Sequence, residues 1–169
     1  LVGHSLGGVV VTAVAEQMPD KIKKLVYIGA FLPANGQSLI DLAGQDAQSL
    51  LGPSLIPSAD QLTLDVAHDK ITNIFCQDGN APVKQMVLDN FRVEPAIPFT
   101  NKVMLTDANF GKVDKYYIHT LMDNAIGIDL QNKMADAAHI TKIFSVNTGH
   151  SPFLTQPDEV SKILITIGQ

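Results

Sequence analysis

The 169-residue sequence has no tryptophan and one cysteine, Cys76. A single cysteine cannot close an internal disulfide, so nothing ties the chain to an oxidising compartment. Charge is scarce. Asp, Glu, Lys and Arg make up 17% of the residues, below the usual quarter, which predicts extensive burial or an apolar cleft. The net charge of −5, with no basic stripe, argues against a nucleic-acid partner. No run approaches the roughly 18 consecutive apolar residues of a membrane span. There is no cysteine pair and no His-x-x-x-His spacing, so no metal site is expected. No G-x-G-x-x-G follows a strand, and no cofactor is expected. Internal repeats and low-complexity tracts are lacking as well. A 46% apolar share suffices for one core, and the length suits one domain.

What is present begins at the first residues. Gly3-His4-Ser5-Leu6-Gly7 matches G-x-S-x-G, with the strand-like Leu1-Val2 before it and an apolar helix, about Leu6 to Met18, after it. A serine on so sharp a strand-to-helix turn holds its hydroxyl clear of the backbone at the C-terminal edge of a sheet. Glycines suit the turn because it is strained and brings helix and strand close together. Lys24 to Phe31 is a near-continuous apolar run, as expected of a parallel strand covered on both faces.

The stretch from Pro33 to about Phe99 differs. It holds six of the nine prolines, yet also short strand candidates at Ser54–Pro57 and Gln61–Val66. Val83, Met86, Val87 and Phe91 share one face of a helix opening at Asn80-Ala81-Pro82. It is too long for a loop and reads as an inserted, mostly helical lid. Beyond it, Lys115 to Leu121 reads as a strand and Ile126 to Ala138 as a helix. Thr141 to Val146 reads as a strand and Pro157 to Ile167 as a helix with Thr155-x-x-Asp158 as its capping box. Alternating strands and helices imply a parallel sheet flanked by helices, an α/β fold. The expected organisation is core over residues 1–32, lid over 33–99 and core again over 100–169.

A serine hydroxyl needs a base within reach, and the base needs a third group to orient it. His150, in Thr148-Gly149-His150-Ser151-Pro152, follows one predicted strand, and Asp123 follows another. Both lie beyond C-terminal strand ends, as Ser5 does, and in an open α/β sheet those ends share one rim. His119, inside a strand, reads as a core histidine. His68 and His139 read as solvated, and His4 flanks the serine without turning onto it. Asp114 precedes its strand, at the wrong end. Asp129 and Asp136 lie on the following helix, and Asp78 lies in the inserted stretch. Asp123 could instead be only a helix cap. The Leu6 N–H, next after the serine, is the expected oxyanion donor. Phe31, Leu32, Met86 and Phe153 are the expected substrate-binding side chains of an apolar pocket.

These residues resemble the α/β-hydrolase superfamily, and within it small cofactor-free carboxylesterases related to plant methyl esterases and hydroxynitrile lyases. The segments that carry the resemblance are LVGHSLGG, AFLP, MLTDANFGKVDKYYIHTLMDNAI and GHSPFLTQPDEV. It implies an α/β-hydrolase fold, with Ser5, Asp123 and His150 as a catalytic triad. The implied function is hydrolysis of small apolar carboxylic esters through an acyl-enzyme. Lyases of this group carry a lysine right after the triad histidine; Ser151 stands there, which favours an esterase. A non-catalytic receptor for small ligands on the same scaffold is the rival from another class. Family members begin with several strands and a loop that supplies a second oxyanion donor, so those N-terminal strands are expected to lie outside this chain. A sheet that started at the elbow strand would show an apolar edge and fold poorly by itself. The expected partner is a small-molecule ester, with a homodimer as the one protein assembly considered and no membrane. The localisation is left open by the sequence, with the cytoplasm as the default expectation.

Overall fold

The computed structural model describes residues 1–169. Strand β1 (Val2–Ser5) leads into helix α1 (Gly7–Gln17), and β2 (Leu25–Ala30) follows. The next elements are α2 (Leu39–Ala43), β3 (Leu55–Pro57), β4 (Thr63–Val66), α3 (Ile71–Phe75), α4 (Ala81–Asn90), β5 (Glu94–Pro95) and α5 (Ile97–Thr100). The chain closes with β6 (Lys115–Thr120), α6 (Ile128–Ala137), β7 (Ile143–Val146), α7 (Pro152–Thr155) and α8 (Pro157–Gly168).

Strands β1, β2, β6 and β7 form one sheet in that order, every pair parallel. Every residue of β2 is buried, because both faces of the sheet are covered. Alternate residues divide between the faces. Leu25, Tyr27 and Tyr117 join the large cluster formed with α1 and α6, while Val26, Ile28 and Ile118 join the smaller one under Val160, Ile163 and Ile167 of α8. Strand β1 lies at the sheet edge, and Leu1, Val2 and Val10 are exposed there. No helix is long and apolar enough to cross a membrane.

Residues 33–99 add no strand to this sheet. They form four helices and a separate antiparallel sheet in the order β3-β4-β5. Helix α2 opens with a capping box between Ser38 and Asp41, and Asn80 caps α4 by accepting from the Val83 N–H. Leu39, Leu42, Ile71, Ile74 and Phe99 root the stretch in the large core cluster.

The capping box expected at Thr155 does not form. Gln156 is the N-cap of α8, and Thr155 is the last residue of α7, one position too early to reach the third helical N–H. Its hydroxyl has no partner.

Candidate active site

Ser5 ends β1 with φ +53°, a left-handed conformation that non-glycine residues rarely adopt, and the ladder to β2 slips between His4 and Ser5. This backbone kink turns the hydroxyl out at the top of the strand. The motif glycines contribute unequally. A Cβ on Gly3 would stand 2.6 Å from Val11 Cγ2, whereas one on Gly7 would meet nothing within 4 Å. The close approach that the motif suggested for Gly7 is made by Gly8, against the Phe31 carbonyl. The Leu6 N–H makes no hydrogen bond to another backbone group and lies beside the serine at the helix start.

Asp123 follows β6 and His150 follows β7, and topology brings them together. Nδ1 of His150 donates to Oδ2 of Asp123 at 2.8 Å, both side chains being buried. The same Oδ2 accepts the Thr120 hydroxyl at 2.7 Å. Oδ1 accepts the N–H groups of Ala125 at 2.7 Å and Ile126 at 2.9 Å. Asp123 therefore orients the imidazole with one oxygen and caps the turn before α6 with the other. Burial pushes its pKa up, but the neighbouring His150 and the donated hydrogen bonds outweigh this and hold it below the ordinary carboxylate value. A carboxylate only accepts, so Nδ1 carries a proton, and in the neutral ring Nε2 is then the nitrogen with the lone pair.

Nε2 of His150 is buried and makes no hydrogen bond. The expected contact between Ser5 Oγ and Nε2 is thus not formed as a hydrogen bond here. Both residues border one cavity of about 790 Å³. Catalytic hydrogen bonds of this kind often tighten only around substrate.

Five of the seven phenylalanines, Phe31, Phe75, Phe91, Phe99 and Phe153, line that cavity, as does Met86. Leu32 does not. Its N–H donates to Met134 Sδ at 3.2 Å. It lines a separate hollow of about 550 Å³ against α6.

Sequence reasoning missed three contributors. His4 Nε2 donates to the His150 carbonyl at 2.7 Å, and the two rings lie 4.5 Å apart. Burial first, and the neighbouring His150 second, lower the His4 pKa to about 3, so it is a neutral donor. Thr120, three residues before Asp123, was a readable signal, since a strand-end hydroxyl at that spacing reaches the carboxylate. Phe75, whose ring lies 5.7 Å from that of His150, gave none. His119 is a buried strand residue with its ring 4.9 Å from that of Tyr117, and His68 and His139 are exposed. No three His, Cys, Asp or Glu side chains are grouped to hold a metal ion.

A strained serine at the end of a parallel strand, with an aspartate–histidine pair on the same rim, defines a hydrolase-type α/β fold. The chain belongs to the alpha/beta hydrolase family, whose profile matches residues 1–163. It is 34% identical over 184 residues to "Putative methylesterase 11, chloroplastic" of Arabidopsis thaliana, covering 100% of this chain and 46% of that protein. A "Carbendazim hydrolyzing esterase" of Nocardioides sp. (strain SG-4G) is 27% identical, covering 99% of this chain and 70% of that one. Among solved structures, tomato methylketone synthase I superposes with a TM-score of 0.86 at 16% identity, over 100% of this chain and 69% of its own. That likeness concerns the fold. The chain spans between 40% and 51% of the length of the Arabidopsis methylesterases it matches.

Proposed function

We propose that Ser5, His150 and Asp123 are the nucleophile, base and orienting acid of a serine carboxylesterase that cleaves small esters with apolar groups. The observation that carries this reading is the buried Asp123–His150 pair, whose unoccupied Nε2 borders the same phenylalanine-lined cavity as Ser5.

Ser5 Oγ attacks the ester carbonyl carbon as His150 Nε2 takes the hydroxyl proton. The carbonyl oxygen becomes an oxyanion that the Leu6 N–H stabilises. When the intermediate collapses, the C–O bond to the alcohol breaks and His150 returns its proton to the leaving oxygen. Water, deprotonated by Nε2, then attacks the acyl-enzyme, and the acid leaves as Ser5 regains its proton. Asp123 holds the imidazole in the required tautomer and stabilises the imidazolium. The inserted stretch 33–99 acts as a lid that excludes water and shapes the apolar side of the pocket. The relatives' names agree with ester chemistry. Ser151, in the place of the lyase lysine, speaks against cyanide release.

The test is a chromogenic ester assay on the full protein together with a fluorophosphonate probe. Turnover is expected to vanish in Ser5→Ala, and the probe to label Ser5 alone. Turnover that survives in Ser5→Ala places the nucleophile elsewhere. Tight ligand binding with negligible turnover by the unmodified protein supports a receptor on this scaffold instead.

A further inference from the structure

The loops carrying Asp123 and His150 touch each other where Leu121 N–H donates to the Val146 carbonyl and Met122 N–H to the Thr148 carbonyl, both at 3.0 Å. They are also held from the inserted stretch, by two adjacent side chains. Gln77 Nε2 donates to the carbonyl of Met122, the residue before Asp123. Asp78 Oδ2 accepts at 3.0 Å the N–H of Gly149, the residue before His150. A Cβ on Gly149 would run into the Gln77 amide and the Asp78 carboxylate, so only glycine admits the pair this closely. The acid loop has further ties to the same stretch. Asn124 Nδ2 donates to the Asn73 carbonyl, and Ser49 Oγ to the Ala125 carbonyl, each at 2.8 Å. Two residues before Gln77, Phe75 lies against the His150 ring.

We propose that Gln77 and Asp78 form a clasp through which the inserted stretch sets the alignment of the Asp123–His150 pair. Seating of this stretch on the sheet rim and alignment of the base are then one event. Gln77 and Asp78 do not line the cavity, so both are positioning residues. The inference rests on the triad reading given above. Its physical basis is the narrow tolerance of the pair: the His150 ring has one hydrogen-bond partner, 2.8 Å away. A displacement of about 1 Å in either loop breaks such a bond, and misplacement on that scale can lower turnover by roughly 10²-fold. Asp78 is exposed, so its removal perturbs the core little.

The variants are Asp78→Ala, Asp78→Asn and Gln77→Met in the full protein. They are followed by steady-state kinetics and by the downfield proton resonance of His150 Nδ1–H. For Asp78→Ala, kcat is expected to fall by about 10- to 100-fold with KM changed less than about twofold. The His150 resonance should shift or broaden. Asp78→Asn keeps an oxygen that accepts the Gly149 N–H and is expected to restore both. Gln77→Met keeps the length and loses the donor, and should move the resonance from the Asp123 side. An unchanged kcat and resonance in Asp78→Ala overturns the clasp. If that variant does not fold, an unchanged resonance in Gln77→Met overturns it. The resonance needs no turnover, so the clasp and the esterase reading can fail separately: ester hydrolysis surviving in Ser5→Ala removes only the latter.

Discussion

Asp123 Oδ2 stands 2.8 Å from His150 Nδ1 although the two lie 27 positions apart in the chain, with all of α6 and β7 between them. The parallel crossover accounts for this. Strands β6 and β7 are neighbours, Thr120 pairs with Val146, and each loop leaves its strand at the same rim. Both carboxylate oxygens are used up, by a ring N–H, a hydroxyl and two backbone N–H groups.

Replacing this carboxylate by its amide tests the acid. In either orientation, Asp123→Asn puts an NH₂ group against a donor, either Nδ1–H or the Ala125 and Ile126 N–H groups. Turnover is expected to fall by roughly 10²- to 10⁴-fold, since the serine-protease equivalent costs about 10⁴ through the wrong tautomer. Stability should fall by about 1–3 kcal/mol from the unsatisfied buried donors. Ester kinetics and chemical denaturation read the two effects separately. Retention of more than about a tenth of the activity is incompatible with Asp123 as the orienting acid.

Gly29 supports the same carboxylate from below. Its φ is +43°, and a Cβ there would stand 2.5 Å from Thr120 Oγ1 and 3.1 Å from Asp123 Oδ2. Gly29→Ala combines left-handed strain with overpacking and is expected to cost roughly 2–4 kcal/mol. Gly7→Ala, in open space at the start of α1, serves as the control and should be neutral or slightly stabilising. Equal denaturation midpoints for the two variants would contradict this account.

The reach of the sequence follows the reach of its signals. The elbow, the parallel strands and the positions of Asp123 and His150 were legible because local pattern and chain order determine them. Residues 55–57 and 63–66 were readable as short strands, but their third partner, Glu94–Pro95, was not. A two-residue strand carries no periodicity. Leu32, expected in the pocket with Phe31, lines the hollow against α6 instead, where its neighbour Met134 is 102 positions away and leaves no local signal. His4 was set aside because its ring does not turn onto the serine. Its contact with the His150 carbonyl spans 146 positions and leaves no local trace.

That contact has a pH signature. The His4 pKa is lowered from an ordinary 6.5 to about 3, chiefly by burial. Between those values the unfolded chain binds a proton that the folded chain refuses. The contribution of His4 to stability is therefore fully present above about pH 6.5 and is lost as pH falls toward about 3. The slope for one proton approaches about 1.4 kcal/mol per pH unit. His4→Gln keeps a donor for the His150 carbonyl and does not titrate. Its melting temperature should fall less than that of the unmodified protein between pH 7 and pH 4. Parallel curves for the two proteins would show that His4 is charged in the fold at acid pH.

The cavity makes the last expectation quantitative. It offers about 790 Å³, and most of its lining side chains are hydrophobic. Each methylene of substrate buried there is worth about 0.8 kcal/mol, or roughly a fourfold gain in kcat/KM, while apolar space remains. A series of esters differing only in acyl or alcohol chain length should thus rise by about that factor per carbon and then level off. Phe91, on the inserted stretch, lies 6.2 Å ring to ring from Phe75, which in turn packs on His150. Phe91→Ala enlarges the space at that end without touching Ser5, Asp123 or His150. The plateau should move to longer chains, with weaker activity on short ones because the contacts of the phenyl ring are lost. Charged groups on the substrate should depress kcat/KM, since an apolar pocket leaves them without partners. A flat response to chain length, or a preference for charged esters, would mean that the substrate does not occupy the phenylalanine-lined space.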